Sequence, residues 1–242
     1  MSPDGMRGST AAAVLAARLR PPGAGRRPLF AGLDGRSGAG KSTLAQALTQ
    51  DVGPAGDGPG QVTVIEGDEF YGGGSAEVWD RRSAAEKVDR VIDWRRQRDV
   101  LERLRRHGVA EWHGFDWDSE DWDSEIIPLV AAPTVVRAAP VVVLEGVYSC
   151  RPELHDLLDL RVLLEVPRHV RRRRLLDRDG DEYRADWDAR WSAAEDHYFG
   201  TVMPPERFDL VLGGAGLHLG VGHESGRGPA PGARARGDNL TT

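Results

Sequence analysis

The stretch Pro28-Leu29-Phe30-Ala31-Gly32-Leu33-Asp34-Gly35-Arg36-Ser37-Gly38-Ala39-Gly40-Lys41-Ser42-Thr43 decides the fold. Its first six residues form a short apolar run, which reads as a strand. Gly35 to Ser42 then matches G-x-x-x-x-G-K-[ST], and Ser42 to Gln50 carries apolar residues at 44, 45, 47 and 48, a helical spacing. In such a strand–loop–helix unit, glycines let backbone N–H groups turn inward around phosphate oxygens. The helix that follows offers them its positive N-terminus. Lys41 is placed to reach the β- and γ-phosphates, and the Ser42 hydroxyl to sit on Mg2+. Gly35, Arg36, Ser37, Gly38, Ala39, Gly40, Lys41, Ser42 and Thr43 are therefore the candidate residues for a nucleoside triphosphate.

Outward from this loop the pattern alternates. Gln61 to Ile65, Pro140 to Leu144, Asp159 to Val166 and Asp209 to Leu212 read as strands. Ser83 to His107 reads as helical with a break near Asp93, and Arg168 to Arg178 and Ala185 to Phe199 read as helices. Continuous apolar strands separated by helices imply βαβ units, hence an α/β fold with a parallel sheet covered on both faces. Residues 1–27 read as a tail and a short amphipathic or solvated helix, 28–213 as the domain, and 214–242, rich in glycine and poor in apolar residues, as a disordered tail.

Composition narrows the function. The 242 residues include 32 basic and 38 acidic ones, a formal charge of −6, which argues against a general nucleic-acid or anionic-membrane binder. No apolar run is long enough to span a bilayer. The one cysteine, Cys150, excludes an internal disulfide and a Cys-rich zinc site, and the expected compartment is the reducing cytoplasm.

Ligands in open α/β sheets bind beyond the carboxyl ends of the strands, so the acids there matter. Val62 to Ile65 runs into Glu66-Gly67-Asp68-Glu69-Phe70-Tyr71, and Val141 to Leu144 into Glu145-Gly146. Glu145 is positioned to help Ser42 hold Mg2+, and Asp68 to accept the proton of an attacking hydroxyl. The loop, the Asp68-x-Phe70-Tyr71 step, Asp93-Trp94, Phe115-Asp116, the Val141–Gly146 strand, the arginine-rich segment and Asp209-Leu210-Val211 follow one another as in the uridine kinase family. Over roughly residues 28–213 the chain resembles that family of P-loop kinases, to which phosphoribulokinase and pantothenate kinase are related.

The resemblance implies a five-stranded parallel sheet, an arginine-rich lid at about 167–184, and an ATP- and Mg2+-dependent kinase. Its acceptor would be a small molecule with a hydroxyl group. Asp68 would be the base and Asp93 would hold acceptor hydroxyls. Tyr71, Trp94, Phe115 and Asp116 complete the candidate acceptor pocket. Arg168, Arg171, Arg172, Arg173, Arg174 and Arg178 are too many for one phosphate, because four consecutive residues span more than a helical turn. Arg174 and Arg178 are the ones expected to stabilise developing charge. Nothing in the sequence fixes the oligomeric state, and a homo-oligomer remains open.

The chain departs from the family after Phe115. Asp116-Trp117-Asp118-Ser119-Glu120 is repeated at once as Asp121-Trp122-Asp123-Ser124-Glu125, and residues 111–125 carry seven acids, four large aromatics and no basic side chain except His113. Uridine kinases have a basic stretch here. Aromatic faces beside carboxylates suit a cation, so an amine-bearing alcohol, or another specialised-metabolite acceptor on the same scaffold, is an alternative. An exposed β-hairpin or loop whose acids are simply solvated, or a nucleotide-dependent regulatory protein using this segment as a partner surface, is the other reading.

Overall fold

The five expected strands form one sheet, and their apolar runs are buried because helices cover both of its faces. In the computed structural model, residues 5–19, 27–51, 62–119, 126–180 and 185–213 are described. β1 (Leu29–Asp34) lies between β5 (Val141–Glu145) and β6 (Leu160–Glu165). β2 (Val62–Glu66) pairs with the far side of β5, and β7 (Leu210–Gly213) with the far side of β6. Every pairing is parallel, in the order β2-β5-β1-β6-β7. Every residue of β5 is buried, whereas the edge strands β2 and β7 are only partly so.

Helices cover both faces. On one, α1 (Gly5–Arg18) and α2 (Lys41–Asp51) bury Leu15, Leu19, Leu44 and Leu48 against Ala31, Val141 and Val143. On the other, the short α3 (Ala76–Asp80), α4 (Ala84–Arg90) and α5 (Trp94–His107) bury Trp79, Val88, Val100 and Leu101 against Phe30, Val142 and Leu144. The break between α4 and α5 falls where the sequence places it. Asp93 caps α5 by accepting from the N–H groups of Arg95 and Arg96. α6 (Arg168–Asp179) and α7 (Ala185–His197) complete the domain, and α7 runs on into a π-helical turn, Tyr198–Val202.

The β-hairpin reading of the acidic aromatic segment leaves its two strands unplaced. β3 (Val109–Trp112) and β4 (Thr134–Arg137) pair antiparallel as a ribbon outside the main sheet. The acidic aromatic segment begins on β3 and continues between these two strands. β4 escapes notice because its residues alternate between half-buried and exposed, Val135 being 60% exposed, so it has no apolar run. The second copy of the tandem repeat, residues 121–125, and the tail 214–242 lie outside the described residues. So do 181–184 of the expected lid and the loop 53–60. No described helix is long and apolar enough to cross a membrane.

Within the N-terminal segment Ala12, Leu15 and Leu19 are buried. Leu15→Ala should therefore cost about 2–5 kcal/mol, the range for a core leucine. Denaturant unfolding checks this, and an unchanged midpoint would show that α1 does not belong to the folded unit.

Candidate nucleotide and acceptor site

The chain leaves β1 for one half of the sheet and later builds the other half, so the carboxyl end of β1 is a topological switch point. The parallel register sets Leu33 of β1, Glu145 of β5 and Glu66 of β2 side by side at that edge. Between β1 and α2 the loop Gly35–Gly40 turns on glycines. Gly38 and Gly40 have φ of 75° and 95°, a left-handed conformation that side chains resist. A Cβ on Gly38 would also lie 2.6 Å from the Arg171 carbonyl oxygen. Lys41 folds back over the loop, its Nζ donating to the Arg36 carbonyl at 3.3 Å.

Glu145 is buried at the end of β5, and the Ser42 side chain hydrogen-bonds to it. Burial pushes its carboxyl up to about 7, against the pull of the Lys41 ammonium, and the nearby Asp68 carboxylate pushes it further. A hydroxyl and a carboxylate side by side, with a second carboxylate close, form an all-oxygen donor set that fits a hard divalent cation such as Mg2+. Asp68 itself stands exposed on a 3-10 turn, Gly67–Phe70, that follows β2. The structure thus brings Lys41, Ser42, Glu145 and Asp68 into one neighbourhood.

α6 lies across the loop. Arg174 donates to the Ala39 carbonyl at 2.8 Å, and its guanidinium stands beside Gly40. Arg171, one turn earlier on the same face, donates to the Ser37 carbonyl at 3.0 Å and to Val166 at 3.1 Å. Arg172, Arg173 and Arg178 are exposed. Of the two arginines singled out in the sequence, Arg174 reaches the loop, whereas Arg178 lies one turn beyond it.

The acceptor candidates divide in the same way. Tyr71 and Phe115 are buried edge to face, and Trp117 stacks on Tyr71 at 5.1 Å, so the three rings form one cluster beside Asp68. Trp79 joins Tyr71 to Trp191. Trp94 turns elsewhere: its ring lies under the guanidinium groups of Arg95 and Arg151, and its Nε1 donates to Asp89. One carboxylate oxygen of Asp93 is used in capping α5, and one of Asp116 accepts from the Asp118 N–H at 3.1 Å in a local turn.

Two further carboxylates are buried here. Asp34 ends β1 and accepts from Gly35 N (2.8 Å), Tyr148 N (2.9 Å), Cys150 N (2.9 Å) and the Tyr198 hydroxyl (2.8 Å). Burial raises its carboxyl to about 6 despite these donors. Glu195 of α7 accepts from the Ser37 N–H at 2.9 Å and the Ser37 hydroxyl at 2.6 Å. The signal for Asp34 is present in the sequence: an acid closing an apolar strand, as Glu145 does. Glu195 falls in a sequence stripe with Trp187, Trp191 and Tyr198 at helical spacing, which reads as packing or as a brace of the lid on the substrate cleft.

A family model described as an AAA domain matches residues 32–199. A uridine kinase of Halobacterium salinarum is 31% identical over 180 residues, 73% of this chain and 72% of that protein. A uridine kinase of Leuconostoc citreum is 26% identical over 195 residues, 78% of this chain and 88% of that protein. Among solved structures, one described as a possible uridine kinase from Bacillus stearothermophilus superposes with a TM-score of 0.60 at 21% identity. It covers 86% of this chain and 97% of its own, a likeness of fold.

The two raised carboxyls set an unusual pH dependence. Folding raises Asp34 from 3.8 to about 6 and Glu145 from 4.5 to about 7. The native state then holds these protons more tightly than the unfolded chain. Their contribution to stability is complete below the unfolded values and is lost as pH rises through 6 and 7. The ligand-free protein should melt higher near pH 5.5 than near pH 8. Glu145→Gln should raise the pH 8 stability by on the order of 1–3 kcal/mol and flatten the profile. Thermal melts at the two pH values check both, and a Glu145→Gln variant less stable than wild type at pH 8 would contradict the assignment.

Proposed function

Because the chain belongs to the uridine kinase family of P-loop kinases, we propose that it transfers the γ-phosphoryl group of ATP to a hydroxyl of a small molecule. One observation carries this reading: Lys41, Ser42, Glu145 and the exposed Asp68 meet at the carboxyl ends of adjacent parallel strands, with Arg174 across the loop. The loop amides and Lys41 hold the triphosphate. Ser42 and Glu145 hold Mg2+, whose charge offsets that of the phosphates. Asp68 takes the proton of the acceptor hydroxyl as its oxygen attacks the γ-phosphorus, and the bond to the β–γ bridging oxygen breaks to leave ADP. The residues act mainly by positioning and by electrostatics, and Arg174 faces the charge that develops.

The uridine kinase relatives favour a nucleoside as acceptor, its base lying against the part-exposed Trp117 ring, which Tyr71 and Phe115 back from behind, and its sugar hydroxyls near Asp93. A second class, an amine-bearing alcohol, is favoured by one feature. The exposed Asp118 directly follows the Trp117 ring that stacks on Tyr71, and an aromatic face beside a carboxylate suits a cation.

ADP release from Mg-ATP, measured with a panel of nucleosides and amine-bearing alcohols, tests the reading. An acceptor should stimulate release, and Asp68→Asn should lower the stimulated rate on the order of 10²–10⁴-fold while nucleotide affinity stays near wild type. Full activity in that variant would remove Asp68 as the base. Slow release that no acceptor stimulates would favour a nucleotide-dependent regulator.

A further inference from the structure

A loop built to bind a polyanion has a carboxylate against it. Glu195 is 3% exposed, and one of its oxygens takes both the N–H and the hydroxyl of Ser37. Its other oxygen lies 3.9 Å from Arg36 Nη1 and 3.8 Å from Arg171 Nη1. The same Arg171 Nη1 donates to the Ser37 carbonyl at 3.0 Å. Every polar atom of Ser37, main chain and side chain, is thus held by either α6 or α7. Arg36 is held in the same way, 2.6 Å from Asp196 of α7.

Simple electrostatics counts against this arrangement, because a buried negative charge repels the incoming phosphates and is costly to desolvate. Two guanidinium groups offset the charge, so what remains is geometric. A glycine-rich loop has many conformations to lose, and a ligand that must order it loses affinity in proportion. Charge-assisted hydrogen bonds are strong enough to fix such a loop beforehand.

We propose that Glu195 is a positioning residue for nucleotide. It sets the loop in its phosphate-binding shape before the nucleotide arrives, and it fixes the place of Arg171 and hence of α6 over the loop. The inference rests on the nucleotide reading of the loop but not on the identity of the acceptor.

The test is calorimetric binding of Mg-ADP and Mg-ATP to the full chain, alongside thermal melts. Glu195→Ala should weaken both nucleotides by about 10- to 30-fold, the scale expected when preorganisation is lost. Glu195→Gln keeps an acceptor oxygen for Ser37 and should return affinity to within about threefold of wild type. Ser37→Ala removes one of the two donors and should weaken binding less. Combined with Glu195→Ala it should add little, because both changes break the same contact. A purely structural role would lower the melting temperature and the fraction of binding-competent protein, leaving Kd unchanged in the folded remainder. Failure of the wild-type protein to bind either nucleotide would overturn the kinase reading and the inference with it. Wild-type binding that Glu195→Ala leaves unchanged or strengthens would overturn the inference alone, as would a Gln variant as weak as the Ala variant.

Discussion

The carboxylate of Asp34 is the constraint on which the site is built. It sits fully buried at the last position of β1, where an ionised group should not be left without donors, and it has four. The four donors come from three pieces of chain: the first residue of the phosphate loop, two residues of the turn after β5, and the π-helical turn after α7. One of them, Tyr148, has φ of 71°, a left-handed conformation that a tyrosine resists and that its N–H bond to Asp34 helps to hold. The donors do not fully offset the burial, since the carboxyl still titrates at about 6. The position thus costs stability in return for tying three loops to one strand end.

The rest of the site follows from strand geometry. Parallel neighbours stand about 4.8 Å apart, so acids at equivalent ends of β5 and β2 are brought within electrostatic reach by register alone. Glu145 occupies the middle strand of the three and therefore faces Ser42 on one side and the Asp68 turn on the other. Charge type is distributed with similar economy. Of the 32 basic residues only Lys41 and Lys87 are lysines. Lys41 is at the one loop position where a compact, flexible point charge is needed, and planar guanidinium forks grip carbonyls around it.

Legibility in the sequence tracked how local each feature is. The strand–loop–helix unit, the acids after β2 and β5, and the break capped by Asp93 depend on residues a few positions apart, and these can be read directly. Which arginines matter depends on a helix face and on where the loop ends. Arg171 and Arg174 share the face that meets the loop, Arg172 and Arg173 face away, and Arg178 lies one turn past Gly40. Glu195 meets Ser37 across 158 positions of chain, and Tyr198 meets Asp34 across 164. Nothing in residue spacing announces contacts of that length, because burial on α7 reads identically whether the carboxylate packs or clamps.

The acidic aromatic segment marks where sequence reasoning stops for another reason. Composition suggests a cage of charges for a cation, yet several carboxylates near the aromatic cluster are already engaged. Glu69 accepts from the Trp112 indole, one oxygen of Asp116 closes its own turn, and one oxygen of Asp93 caps α5. Arg96 also lies over the Phe70 ring and donates to the His113 carbonyl, which places a positive charge in the same neighbourhood. Counting charges in this segment therefore overstates the negative potential an acceptor would meet. Of the three clustered rings, Tyr71 and Phe115 are buried, and Trp117, stacked on Tyr71, keeps a part-exposed aromatic face. Such faces select by ring size and stacking more than by charge, so the acceptor's flat or apolar part should weigh more in its recognition than its net charge.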